Sequence, residues 1–192
     1  RREALSLAKL DHPNVVRIHD AQLEGDRPYL VEDLLPKGSL EHKLRERGAL
    51  PAEEAVAIAT KIARGLSAAH DLGMLHRDIK PGNILFDDRD EPRLADFGLV
   101  SEQQQVHRLT LTGQLLGTPA YMAPEQARGK RDLVGGRTDV YALGVVLYAM
   151  LTGDVPFKAE TQIELLNRIV SSPPVPPSKS NPEVGSRLET IT

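Results

Sequence analysis

One stretch limits what this chain can become. It is His76-Arg77-Asp78-Ile79-Lys80-Pro81-Gly82-Asn83, with the apolar Ile84-Leu85-Phe86 behind it and Asp96-Phe97-Gly98 starting thirteen residues after Asn83. Its carboxylates, lysine and amide sit among turn-formers and short apolar runs, too polar and too punctuated for a core. It reads as a loop held between two short strands, aiming charge at one point. Two carboxylates converging without a cation would repel, so Asp78 and Asp96 together argue for a positive partner. Phosphoryl transfer needs such a point: a base beside the attacking hydroxyl, a cation at the moving phosphate, and oxygen ligands for a metal.

The rest of the composition bounds the surroundings. At 192 residues the chain can bury one sizeable core or two small ones. A net charge of -3 gives no nucleic-acid footprint. Cysteine is absent, which excludes a disulfide framework and a thiolate zinc site. No apolar run reaches the roughly 18 residues of a membrane span.

Periodicity predicts the elements. Residues 1–10 place Ala4, Leu7 and Ala8 on one helical face before His12-Pro13-Asn14 breaks it. Residues 15–21 and 29–32 read as a hairpin around Gly25-Asp26. Residues 39–47 make a short polar helix. Residues 51–72 make a long one, with Pro51, Glu53 and Glu54 at its start, Gly73 past its end and Val56, Ala59, Ile62, Ala63, Leu66 and Ala69 as the buried stripe. Residues 138–152 are apolar nearly all round and predict a central buried helix stopped by Gly153. Residues 161–170 form an amphipathic helix, 171–182 an extended proline-rich connector, and 185–192 the start of another helix.

The H-R-D-x-K-P-x-N loop, the Asp96-Phe97-Gly98 triplet and Ala123-Pro124-Glu125, in this order and spacing, resemble the eukaryotic-type serine/threonine protein kinases common in bacteria. The likeness covers almost the whole chain. It implies an α+β, protein-kinase-like fold: residues 1–33 as a remnant of the small lobe (end of helix αC, strands β4 and β5), and residues 34–192 as the hinge and a mainly helical large lobe. It implies transfer of the γ-phosphate of ATP to serine or threonine of a protein substrate, with Mg2+.

Site roles carry over residue by residue. Asp78 orients the substrate hydroxyl and accepts its proton, a contribution of roughly 10²–10⁴ in rate. Lys80 offsets charge on the transferring phosphate, and its presence matches the Ser/Thr branch. Asn83 and Asp96 are the metal ligands. Thr118 bridges the catalytic Asp and Lys. Glu3 corresponds to the αC glutamate that holds a lysine against the phosphates. Asp33 and Leu35 lie in the hinge that holds adenine, and Leu85 completes the nucleotide pocket. Leu7, Ile18, His76 and Phe97 stack in an apolar column, which Asp139 anchors by accepting backbone donors of the loop. Glu125 pairs with an arginine of the large lobe that these residues do not include, leaving a buried carboxylate unpaired at a cost of roughly 3–5 kcal/mol. Arg77 is placed to meet a phosphate on Thr110 or Thr112.

Two departures stand out. Glu32 occupies the slot usually held by an apolar gatekeeper, and a carboxylate facing the adenine pocket is costly unless it is paired or turned away. No glycine-rich loop motif and no matching lysine occur here. The expectation is therefore a kinase domain cut at both ends, with the strand over 29–32 left open at one edge. Such an isolated piece should bind ATP poorly and turn over little.

Two rivals remain: a phosphotransferase acting on a small molecule, and a pseudokinase scaffold. Lys80 and Ala123-Pro124-Glu125 weigh against the first, and the intact Asp78, Lys80, Asn83 and Asp96 against the second. The resemblance further implies no nucleic-acid partner, no membrane contact by this segment, a cytoplasmic location with any anchor elsewhere in the parent, and room for a homodimer in autophosphorylation.

Overall fold

A computed structural model describes residues 10–22, 27, 29–97 and 119–192. The predicted roles of Glu3, Leu7, Thr110, Thr112 and Thr118, and the turn at Gly25-Asp26, lie outside the described residues. The architecture is α+β. Strands β1 (Ile18–Gln22) and β2 (Tyr29–Glu32) pair antiparallel, with Ile18 opposite Glu32 and Gln22 opposite Tyr29. Helices α1 (Leu40–Arg47) and α2 (Ala52–Asp71) come next, then a second hairpin of β3 (Ile84–Phe86) and β4 (Pro92–Leu94). Five helices complete the described chain: α3 (Pro124–Ala127), α4 (Gly136–Thr152), α5 (Gln162–Ser171), α6 (Pro177–Ser180) and α7 (Ser186–Ile191).

Helix ends obey local chemistry. The Ser39 hydroxyl caps α1 by accepting from the His42 N–H at 3.2 Å, and Thr161 caps α5 through the Glu164 N–H at the same distance. Helix α4 stops at Gly153, whose φ of 74° suits glycine.

The core forms between α2 and α4, and β4 lies against α2. Helix α2 buries Ala55, Ile58, Ile62, Leu66 and Ala69. Of the predicted stripe Ile62, Leu66 and Ala69 are buried and Ala59 is half-buried, whereas Val56 and Ala63 are exposed and Ala55 and Ile58 face inward instead. The buried spacings of three, four, four and three keep one face inward, whereas Val56 and Ala63 lie to one side of that face. Gly65 allows α2 to approach the neighbouring chain closely, since a Cβ there would sit 3.0 Å from the Asn14 carbonyl oxygen and 3.1 Å from Val15 Cγ2. Asn14 in turn is stitched to β4, with Nδ2 donating to the Pro92 carbonyl at 2.9 Å and its carbonyl accepting the Leu94 N–H at 2.9 Å.

Helix α4 buries ten residues, among them Val145, Val146, Leu147, Met150 and Leu151, but Val140 is 64% exposed, so its first turn has a solvent face. The proline-rich connector is not wholly extended. Its residues 177–180 form α6, and just past that helix Asn181 Nδ2 donates to the Leu151 carbonyl at 2.8 Å, tying the connector to the end of α4. Among the described residues β2 pairs with β1 alone, and no described helix is long and apolar enough to cross a membrane.

The 76–83 loop does not lie between two strands as predicted. It runs from the end of α2 into β3, closing through a 3-10 turn over Pro81–Asn83. The β3–β4 hairpin then returns the chain to Asp96, so one short ribbon brings the two sequence motifs together.

Candidate active site

Helix α4 supplies the anchor. Asp139 is fully buried in its first turn. Its Oδ2 accepts the His76 N–H at 2.9 Å and its Oδ1 the Arg77 N–H at 2.7 Å. His70 Nε2, at the end of α2, lies 2.8 Å from the same Oδ2. A buried carboxylate requires such donors, and here they fix the backbone of the loop. They also hold Arg77 at a φ of 68°, a left-handed conformation that a non-glycine residue adopts at a cost.

His76 is a structural imidazole. Its Nε2 lies 2.8 Å from the Ala95 carbonyl and its Nδ1 accepts the Asp78 N–H at 3.3 Å, so the geometry assigns the neutral Nε2–H tautomer. Burial pushes its basicity down, opposed by the Ala95 carbonyl and by Asp139, Asp78 and Asp96. All three carboxylates thus lie within electrostatic reach of one ring. Phe97 packs edge-on to that ring with centroids 4.7 Å apart. Ile18, also assigned to this column, is partly buried against the core.

The polar side chains meet beyond His76. Lys80 Nζ lies 2.7 Å from Asp78 Oδ2, both about one-third exposed. Asn83 is used from both ends. Its Nδ2 donates to the Asp78 carbonyl at 2.8 Å, and its own carbonyl accepts the Ala95 N–H at 2.8 Å. The peptide groups of Ala95 are therefore pinned by Asn83 and by His76, immediately before Asp96, which has a φ of 61°. Among the described residues no donor engages the Asp96 carboxylate or Asn83 Oδ1. No cluster of three or more His, Asp or Glu side chains suited to a metal occurs among the described residues. One carboxylate and one amide oxygen is the donor set that suits a Mg2+ ion keeping waters and substrate phosphate oxygens as its remaining ligands.

Tyr121 packs against the core, and burial, with Glu41 and Asp154 adding, pushes its phenol up to about 12. It is neutral at pH 7.

The 34–40 segment lies beside β3, with the Lys37 N–H donating to the Phe86 carbonyl at 3.2 Å and the Phe86 N–H to Gly38 at 3.0 Å. Among the described residues no backbone hydrogen bond engages Leu35, and Leu85 is only half-buried between the buried Ile84 and Phe86. The Asp33 side chain is occupied: Oδ1 lies 2.8 Å from His19 Nε2 and Oδ2 accepts from Arg93 at 3.3 Å. Glu32 is exposed, with its carboxyl held above the usual range by partial desolvation, then by Asp96 and Asp33. Its exposure leaves only part of the burial cost foreseen for it.

Glu125 corrects an expectation. It is half-buried, and its Oε1 accepts the Thr138 hydroxyl at 2.6 Å, while that hydroxyl takes the Gly135 N–H at 3.0 Å. The predicted unpaired buried carboxylate is therefore absent at this position. Next to it, Gln126 Nε2 donates to the Arg77 carbonyl at 2.9 Å, tying α3 to the loop. Sequence reasoning missed the roles of His70 and Gln126, because both act through tertiary contacts.

Sequence comparisons identify the family. The chain is 42% identical over 166 residues to the serine/threonine-protein kinase PknL of Mycobacterium tuberculosis, covering 86% of this chain and 41% of that protein. It is 33% identical over 195 residues to PknB of Mycobacterium leprae (100% and 31%) and 36% over 191 residues to PrkC of Bacillus subtilis (100% and 29%), both likewise named serine/threonine-protein kinases. The chain thus spans less than half the length of these curated relatives. Members of this family use ATP and a divalent metal in general. With a match to the protein kinase domain model over residues 1–186, the chain belongs to the protein kinase family.

Proposed function

We propose that the protein containing this chain transfers the γ-phosphate of ATP to serine or threonine hydroxyls of proteins, with Mg2+. The observation that carries this reading is the double use of Asn83, which joins the backbone of Asp78 to the residue preceding Asp96. A base and a metal-ligating carboxylate are thereby held in one frame.

In this reading the substrate hydroxyl lies against the Asp78 carboxylate, which takes its proton as the oxygen bonds to the γ-phosphorus and the bond to the β-phosphate oxygen breaks. Lys80, already 2.7 Å from Asp78, supplies positive charge to the transferring group. Asn83 Oδ1 and the Asp96 carboxylate would hold Mg2+, which screens the phosphate charge when bound. Backbone groups at Asp33 and Leu35 would meet adenine, with Leu85 against the ring. In the same reading the hinge begins at residue 34, with residues 1–33 on the small-lobe side. The protein substrate, a cytoplasmic location and a homodimer for autophosphorylation belong to the same proposal.

Labelled ATP and a general protein substrate test it. The full-length protein should label serine or threonine only while Mg2+ is present. Label on a small-molecule acceptor alone, or none at all, contradicts it.

A further inference from the structure

We infer that Arg93 is a positioning residue for the nucleotide site, setting the gap between the 33–35 segment and the strand that carries Leu85. This rests on the proposed function. The far end of the 34–40 segment is secured by its backbone hydrogen bonds to Phe86 in β3. The near end has no such tie to β3. Leu34 is 89% exposed, and the Asp33 N–H is spent on the Arg17 carbonyl, at 3.1 Å. Arg93 provides the missing link. It lies directly across the ribbon from Leu85, and cross-strand partners project to the same face. Its guanidinium reaches Asp33 Oδ2 at 3.3 Å, joining β4 to the segment just after β2.

The guanidinium is itself fixed beforehand. Asp87 Oδ2 accepts from Arg93 NH2 at 3.0 Å and from Nε at 3.3 Å, while Asp87 Oδ1 accepts the N–H groups of Arg89 and Glu91 at 2.9 and 3.0 Å. From the other side His19 Nε2 holds Asp33 Oδ1 at 2.8 Å. A planar fork clamped on one carboxylate loses little freedom in gripping a second. The chain of His19, Asp33, Arg93 and Asp87 links both hairpins. It touches no reacting atom, so its effect falls on nucleotide affinity and not on the chemical step.

The test uses the full-length protein, with ATP dependence of phosphorylation, ADP binding by calorimetry and thermal unfolding measured on the same preparations. Arg93→Ala should raise KM for ATP and Kd for ADP about five- to tenfold, with kcat within about twofold. Arg93→Lys should recover part of the loss. Asp33→Asn should raise both constants as well, and the double variant should add little beyond either single change. Unchanged KM and Kd in Arg93→Ala overturn the inference. So does a lower kcat and melting point at constant KM, the mark of a merely structural residue, or a higher kcat at constant KM, the mark of a restraint on opening. A wild type that transfers no phosphate from ATP instead overturns the function proposed above.

Discussion

Asp139 holds Arg77 by its N–H at 2.7 Å although the two stand 62 positions apart. The bond crosses from the central helix to a backbone in a left-handed conformation, and the same carboxylate holds His76 and meets His70. Loop shape is thus a property of the core. Replacing Asp139 with alanine leaves the buried His76 N–H and the partly buried Arg77 N–H unsatisfied and one strained residue unsupported. The expected loss is roughly 3–5 kcal/mol in urea unfolding, with activity falling alongside. A loss below about 1 kcal/mol would mean the loop keeps its form without the anchor.

His76 makes stability depend on pH in a definite direction. Its folded-state basicity is lowered by burial, so the unfolded chain binds a proton first. Its contribution is complete above the unfolded value of about 6.5 and is lost as pH falls from there toward the depressed folded value. The slope from this group reaches at most about 1.4 kcal/mol per pH unit. His76→Phe keeps a ring against Phe97 and should remove this component while lowering stability at pH 8. Unfolding curves at pH 8, 6.5 and 5.5 decide it, and identical pH dependence in the variant would contradict it.

Gly65→Ala brings a methyl group to 3.0 Å from a backbone oxygen. The better helix propensity of alanine, worth about 1 kcal/mol, opposes this clash. Overpacking costs about 1–3 kcal/mol, so thermal unfolding should show a net destabilisation. A stabilised variant would place α2 farther from the Asn14-Val15 segment.

Control by phosphorylation is a separate proposal, carried by the position of Arg77 directly before Asp78. An active preparation should yield phosphate on Thr110 or Thr112 by peptide mapping. The double Thr→Ala variant should lose most activity, and full activity in that variant would discard the idea.

Much of this was legible in the chain. Ser39 and Thr161 announce helix starts because capping is local chemistry, and Gly153 announces a stop for the same reason. The motifs that mark the protein kinase family were equally visible. What escaped was tertiary. The face of α2 turned on Gly65, where another segment's approach decides which side is buried. The partners of Asp139, Glu125 and Asp33 come from residues 69, 13 and 60 positions away, and nothing local marks His70, Thr138 or Arg93 as those partners.

Asp78 carries the central claim. Asp78→Asn keeps the side chain's size and leaves the N–H and carbonyl that bond His76 and Asn83 in place. Initial rates of phosphate transfer from ATP to a protein, wild type against Asp78→Asn at saturating Mg2+, test it directly. The rate should fall by roughly 10²–10⁴ with the melting temperature nearly unchanged. A folded Asp78→Asn protein as fast as wild type would contradict the account.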